Sequence, residues 1–128
     1  MATLGAARAM AMTGRGCARV PIDHDHLARY TFGNRELEIE VLNLFAEQSP
    51  AYLGNMREAR TEKDWRDAAH TLKGSARAVG ALLIAELAER AEALRTSTDM
   101  VAKAATIDAL AYAIEEAKTY IASLEIEF

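Results

Sequence analysis

The sequence predicts an all-α protein: an antiparallel four-helix bundle with a short N-terminal helix capping one end. Three observations carry this. Ala, Leu and Glu are frequent, while the 128 residues include only 2 Pro and 7 Gly and are 6% aromatic, a composition that favours helices over sheets. Apolar residues recur at spacings of three and four through four long stretches. Short junctions rich in helix-capping residues separate those stretches, which sets neighbouring helices antiparallel.

The elements follow in order. In "VPIDHDHLARY", Pro21 and Asp23 can open a short helix running through Leu27. Gly33 breaks the chain, and Asn34 is placed to N-cap the next helix. In that helix Leu37, Val41, Leu44, Phe45 and Gln48 recur at spacings of three and four, while Glu36, Glu38, Glu40 and Glu47 fall mostly elsewhere, the pattern of an amphipathic helix. Pro50 removes a backbone donor and kinks it. Tyr52, Leu53 and Met56 resume the spacing, so one kinked helix from Asn34 to about Arg60 is predicted. Thr61 or Asp64 caps the next helix, from about Asp64 to Val79, and Gly80 stops it. "ALLIAELAERAEALR" forms a further helix on Leu83, Leu87, Ala91 and Leu94. "TSTD" supplies the cap of the last, from about Asp99 to Leu124, whose stripe is Ala104, Ile107, Leu110, Ile114, Ala117 and Ile121. The sequence has no internal repeat.

Charge divides the chain in two. Residues 1–19 contain Arg8, Arg15 and Arg19 and no acid. Without these three, 12 basic residues face 19 acidic ones, a formal −7. An acidic body argues against nucleic-acid binding, which phosphate neutralisation drives. Residues 1–19 lack the sustained apolar core of a signal peptide, and their Arg content only faintly resembles a transit peptide. They read as a disordered basic extension with few bulky apolar residues to bury, leaving residues 20–128 as the bundle domain. The lone Cys17 cannot form an internal disulfide and has no structured basic surroundings to activate it, which points to a cytoplasmic protein. No apolar run approaches the roughly 20 residues of a membrane span.

The stretch "AAHTLKGSARAVG", residues 68–80, departs from ordinary helix chemistry. At about 100° per residue, Gly74, Arg77 and Lys73 fall at about 40°, 340° and 300° from His70. Leu72, Val79, Ala76, Trp65 and Ala68 occupy the other side. A mid-helix glycine costs roughly 1 kcal/mol relative to alanine. On an exposed face, close packing within the chain does not account for that cost. One physical use is room: Gly74 lets a bulky group approach an exposed imidazole, and Lys73 offers that group a cation. Imidazole is a nucleophile near neutral pH, so a phosphoryl group is the natural adduct.

"AHTLKGSARAVGA" resembles the signature of histidine-containing phosphotransfer (HPt) domains, roughly A-H-x-L-K-G-[SA]-A-x-x-[LVI]-G, at every fixed position. The upstream "LNLFAEQSPAYLGNMREA" resembles the preceding helix of that family, and the likeness extends over roughly residues 20 to 125. The resemblance implies a four-helix bundle in which His70 accepts a phosphoryl group from the aspartate of a receiver domain and returns it to another. It implies that Lys73 steadies the phosphate, that Gly74 leaves it space and that Gly80 ends the helix. The implied partners are response-regulator receiver domains or a hybrid histidine kinase. Mg²⁺ is expected from the receiver's own acidic residues. There is no P-loop or glycine-rich ATP lid, so the chain is not expected to phosphorylate itself.

Other residues admit plainer roles. Arg77 is either a phosphate or partner contact or an ordinary solvated arginine. His24 and His26 in "DHDH" stand two apart, unlike helical metal ligands, so Asp23 reads as a cap, His24 as solvated and no metal is expected. Tyr30 and Phe32 read as sealing the bundle end, or else as apolar surface beside His70 for a docking partner. Trp65 reads as core. One apolar stripe per helix and a charged opposite face predict a monomer. The competing function is a docking or inhibitory bundle with a vestigial His70. A hydrolase would lack a second catalytic group.

Overall fold

The computed structural model describes residues 20–95 and 98–126. The basic extension 1–19 and the Thr96–Ser97 part of the expected "TSTD" cap lie outside the described residues. Five helices follow in order: α1 His24–Thr31, α2 Arg35–Glu58, α3 Glu62–Val79, α4 Leu82–Glu92 and α5 Met100–Ile126. Helices α2 to α5 form the bundle, each packing on its neighbours around the ring, and α1 lies against α2 and α3. No helix among the described residues is long and apolar enough to cross a membrane.

The helix starts follow local chemistry. Asp23 caps α1 by accepting from the His26 amide, Asn34 caps α2 through the Leu37 amide, and Thr61 caps α3 through the Asp64 amide. Helix α1 runs one turn past its expected end, to Thr31, and Phe32 and Gly33 then take positive φ values of 55° and 76°. Helix α4 starts without a side-chain cap and stops at Glu92, three residues before the expected Arg95. The Asp99 carboxylate accepts from the Arg95 amide across the junction, where a cap of α5 is expected.

Three apolar lines differ from the sequence reading. The buried line of α2 is Glu38, Leu42, Phe45, Ser49, Leu53 and Met56, and Leu37, Leu44 and Gln48 are exposed. The reason is polar: the Thr31 hydroxyl lies 3.2 Å from a Glu38 carboxylate oxygen, so a glutamate can occupy a core position that periodicity would refuse it. In α4 the inward residues are Ile84, Ala85, Ala88 and Ala91. Small alanines face the neighbouring helices, while Leu87 and Leu94 are half-buried and Leu83 is exposed. Helix α5 buries Leu110, Ile114, Ala117 and Ile121 as expected, but Ala104 is exposed. Its first half also exposes Met100, Val101 and Tyr112, with Asp108 as its one exposed charge, so the charged outer face behind the monomer expectation is sparse there.

Trp65 is fully buried, and its indole N–H donates to the Ala91 carbonyl at 2.7 Å, tying α3 to the end of α4. The opposite end of that hairpin is fixed at Gly80. Its φ is 81°, and the Ala81 amide reaches back to the Ala76 carbonyl at 2.8 Å, a six-to-one closure of the helix end. A Cβ on Gly80 would stand 2.6 Å from the Asp23 carbonyl oxygen. The Gly80 carbonyl in turn accepts from the Asp23 amide at 2.8 Å. Both the backbone angle and the neighbour demand glycine.

Gly80→Ala should therefore destabilise the bundle by at least about 1–2 kcal/mol, the cost of a left-handed alanine before any clash. Chemical denaturation of the two proteins measures this. Equal midpoints would show that the turn relaxes freely.

Candidate functional site

The site lies on the seam between α3 and α4. The apolar residues Trp65, Ala69, Leu72, Ala76 and Val79 turn one face of α3 into the core. That leaves His70 on the outer face, its side chain 68% exposed. Gly74, one turn later, is also exposed, and a Cβ built there meets nothing within 4 Å. The glycine is thus not required by internal packing. It leaves open space beside the imidazole.

Lys73 is more buried than its place on the polar face of α3 suggests. Its side chain is only 15% exposed, and its ammonium lies 2.7 Å from Oε1 of Glu92. The other oxygen of the same carboxylate, Oε2, lies 2.9 Å from Nδ1 of His70. Glu92, itself 25% exposed, bridges the two residues from across the seam. The Lys73 hydrogen bond, and after it the His70 bond, hold the Glu92 carboxyl below its ordinary value of 4.5 against the opposing effect of burial.

This bridge settles the imidazole's orientation. An ionised carboxylate only accepts, so Nδ1 carries the proton and donates. In the neutral ring the lone pair is then on Nε2, the nitrogen outside the bridge. Arg77 stays on the same exposed face, paired with Glu89 of α4 at 2.6 Å.

Glu92 is the residue that sequence reasoning missed. Its signal was its place on α4: with a tight turn at Gly80, Glu89 and Glu92 return opposite Arg77 and Lys73. Reading that signal requires the register of the α3–α4 hairpin, which the apolar pattern does not supply.

The other singled-out residues are also located. His24 is not a solvated residue: its Nε2 is hydrogen-bonded to the Tyr120 hydroxyl, and the rings meet edge to face. His26 donates through Nε2 to the Arg77 carbonyl at 2.6 Å. Among the described residues no group of three or more His, Cys, Asp or Glu could hold a metal. Tyr30 and Phe32 do not seal the bundle. They are 60% and 92% exposed: Tyr30 stands on α1 away from its buried residues Leu27 and Thr31, and Phe32 follows in the left-handed turn that ends the helix.

The model of the Hpt domain family matches residues 40–124, from within α2 to near the end of α5. Searches of curated proteins and of solved structures returned no match. The match covers well over half of the chain and includes the whole α3–α4 seam. The chain belongs to the Hpt domain family, whose members carry out phosphotransfer in phosphorelays.

The lowered Glu92 value gives a pH test. The bridge contributes to stability fully above the ordinary glutamate value of 4.5, and the contribution is lost as pH falls through the lower folded-state value. Glu92→Gln should be less stable than the parent by about 1 kcal/mol at neutral pH, the scale of one charge-assisted bond. The gap should close on the acid side of the ordinary value. Denaturant unfolding of both proteins across this range reads it. A gap that persists unchanged into acid would mean that Glu92 contributes through packing alone.

Proposed function

We propose that this protein is a phosphorelay intermediate that accepts a phosphoryl group on Nε2 of His70 from a receiver-domain aspartate and passes it to another receiver. The observation that carries the proposal is the Glu92 bridge, which leaves the exposed His70 with its lone pair on the outer nitrogen.

The step balances simply. The Nε2 lone pair attacks phosphorus, the bond from phosphorus to the aspartyl oxygen breaks, and the aspartate leaves as a carboxylate. Nε2 has no proton to lose. The product ring keeps its Nδ1 proton and so carries a positive charge shared over both nitrogens. Glu92 is already aimed at that nitrogen, so the charge that develops during transfer meets a fixed opposite charge. Lys73 can turn one of its remaining N–H bonds toward the phosphoryl oxygens while the carboxylate holds another. Mg²⁺ comes with the receiver, held by the receiver's acidic residues.

Docking falls to the surface around Gly74. Two contacts set α1 antiparallel to α3 at its start, Asp23 to Gly80 and His26 to Arg77. Tyr30, one turn beyond His26 and in ring contact with it, therefore lies toward Gly74. Phe32 follows, almost fully exposed and in a backbone conformation that a bulky residue adopts at a cost. Exposed aromatics beside an open glycine suit a protein partner that must reach the imidazole. Arg77 joins this face as a partner contact.

One set of proteins tests the proposal. A phosphorylated receiver should transfer acid-labile label to the parent chain and none to His70→Gln. Gly74→Ala should gain up to about 1 kcal/mol of stability because alanine is the better helix former. Gly74→Gln should fold as well as the parent yet transfer far more slowly, because its side chain fills the open space. Phe32→Ala should raise the receiver concentration needed for half-maximal transfer while the melting temperature holds. Receiver binding without label on His70 would leave a docking module in place of a carrier.

A further inference from the structure

Away from His70, where α1 begins, the start of α4 and the middle of α5 enclose a cleft of about 570 Å³. Its walls include Val20, Leu82, Leu83 and Ala113, and the first three are exposed apolar side chains. Three carboxylates, Asp23, Asp25 and Glu116, lie along it, and no lysine or arginine does. Asp23 is occupied in capping α1, and the His24 ring is held by Tyr120. Asp25 and Glu116 are exposed and have no cationic partner among the described residues. The cleft is thus an apolar trough with an unbalanced acidic edge.

The chain supplies a matching occupant. Residues 1–19 hold Arg8, Arg15 and Arg19 with no acid, together with Leu4, Met10 and Met12. They join the described residues at Val20, which is itself a wall of the cleft. Arg19 is covalently next to that wall, and Arg15 is within about 17 Å of Val20 even at full extension. A tether this short gives the segment a millimolar effective concentration at the cleft. Methionine adapts to irregular apolar surfaces. We propose that residues 1–19 fold back over this cleft, their apolar residues covering Val20, Leu82 and Leu83 and their arginines facing Asp25 and Glu116. The cleft is then an intramolecular docking site, separate from the phosphotransfer seam.

The test uses the full chain with Cys17→Ser, so that a nitroxide can be attached at Thr3→Cys alone, outside the residues that make the contact. An undocked tether of this length would spread over about 22 Å around Val20 and weaken all nearby amide signals alike. A docked one should weaken Leu82, Leu83 and Ala113 at least about twofold more than amides of α2 at similar distances from Val20, and more so at low salt. Asp25→Lys combined with Glu116→Lys should remove the selectivity, and raising the salt in the parent should do the same without any substitution in the cleft. Even weakening around Val20, selective weakening of another face, or a pattern at the cleft that resists both changes would overturn the proposal. So would weakening that arises only between labelled and unlabelled copies, which would make the occupant a second molecule.

Discussion

The left-handed backbone at Gly80 is the constraint on which the rest of the structure depends. Only a residue without a Cβ can hold φ at 81° with the Asp23 carbonyl packed against its α-carbon. The turn sends α4 back along α3 with no slack. His70 lies ten residues before the glycine and Glu92 twelve after it, about 15 and 18 Å along their helices at 1.5 Å per residue. The two side chains therefore arrive at the same level of the seam. Arg77 also meets Glu89, and the Trp65 indole the Ala91 carbonyl, across this hairpin. One turn fixes the hairpin, and the hairpin assembles the site.

The site illustrates how a partly buried ion pair can serve chemistry as well as cohesion. A surface pair contributes little to stability. Here the carboxylate has two partners, and its second bond decides which imidazole nitrogen is free. Lys73 foremost, and His70 after it, hold the Glu92 carboxyl below its ordinary value, so the acceptor at Nδ1 is ionised at neutral pH. In the phosphorelay function proposed above, a phosphorylated ring would need a counter-charge at that same nitrogen, so the bridge that orients the imidazole would also suit the product. Gly74 completes the geometry by what it omits, with open space where a side chain would stand.

Much of this was legible in the sequence. The caps at Asp23, Asn34 and Thr61, the stop at Gly80 and the split of α3 into a packed and an exposed face follow from local rules that act within a turn or two. What escaped depends on contacts between distant residues. Glu38 looks like a solvent residue until Thr31 reaches it, and the alanines of α4 look like weak core residues until another helix packs closely on them. Tyr30 and Phe32 look like bundle-end aromatics because burial is the usual fate of such side chains. Tyr30 is exposed because α1 buries Leu27 and Thr31 instead, and Phe32 because the helix ends there in a positive φ on a non-glycine residue, which composition does not announce. Glu92 is one of three glutamates on α4 until the hairpin register is known.

The most direct measurement of the central claim is the identity of the nitrogen that carries the phosphoryl group. Nitrogen and phosphorus NMR of the phosphorylated chain, with ¹⁵N in the imidazole, reads the one-bond coupling to phosphorus. The Glu92 bridge predicts attachment at Nε2 with the proton retained on Nδ1. Attachment at Nδ1 would mean that Glu92 does not hold the ring during transfer, and the account of this site would fail.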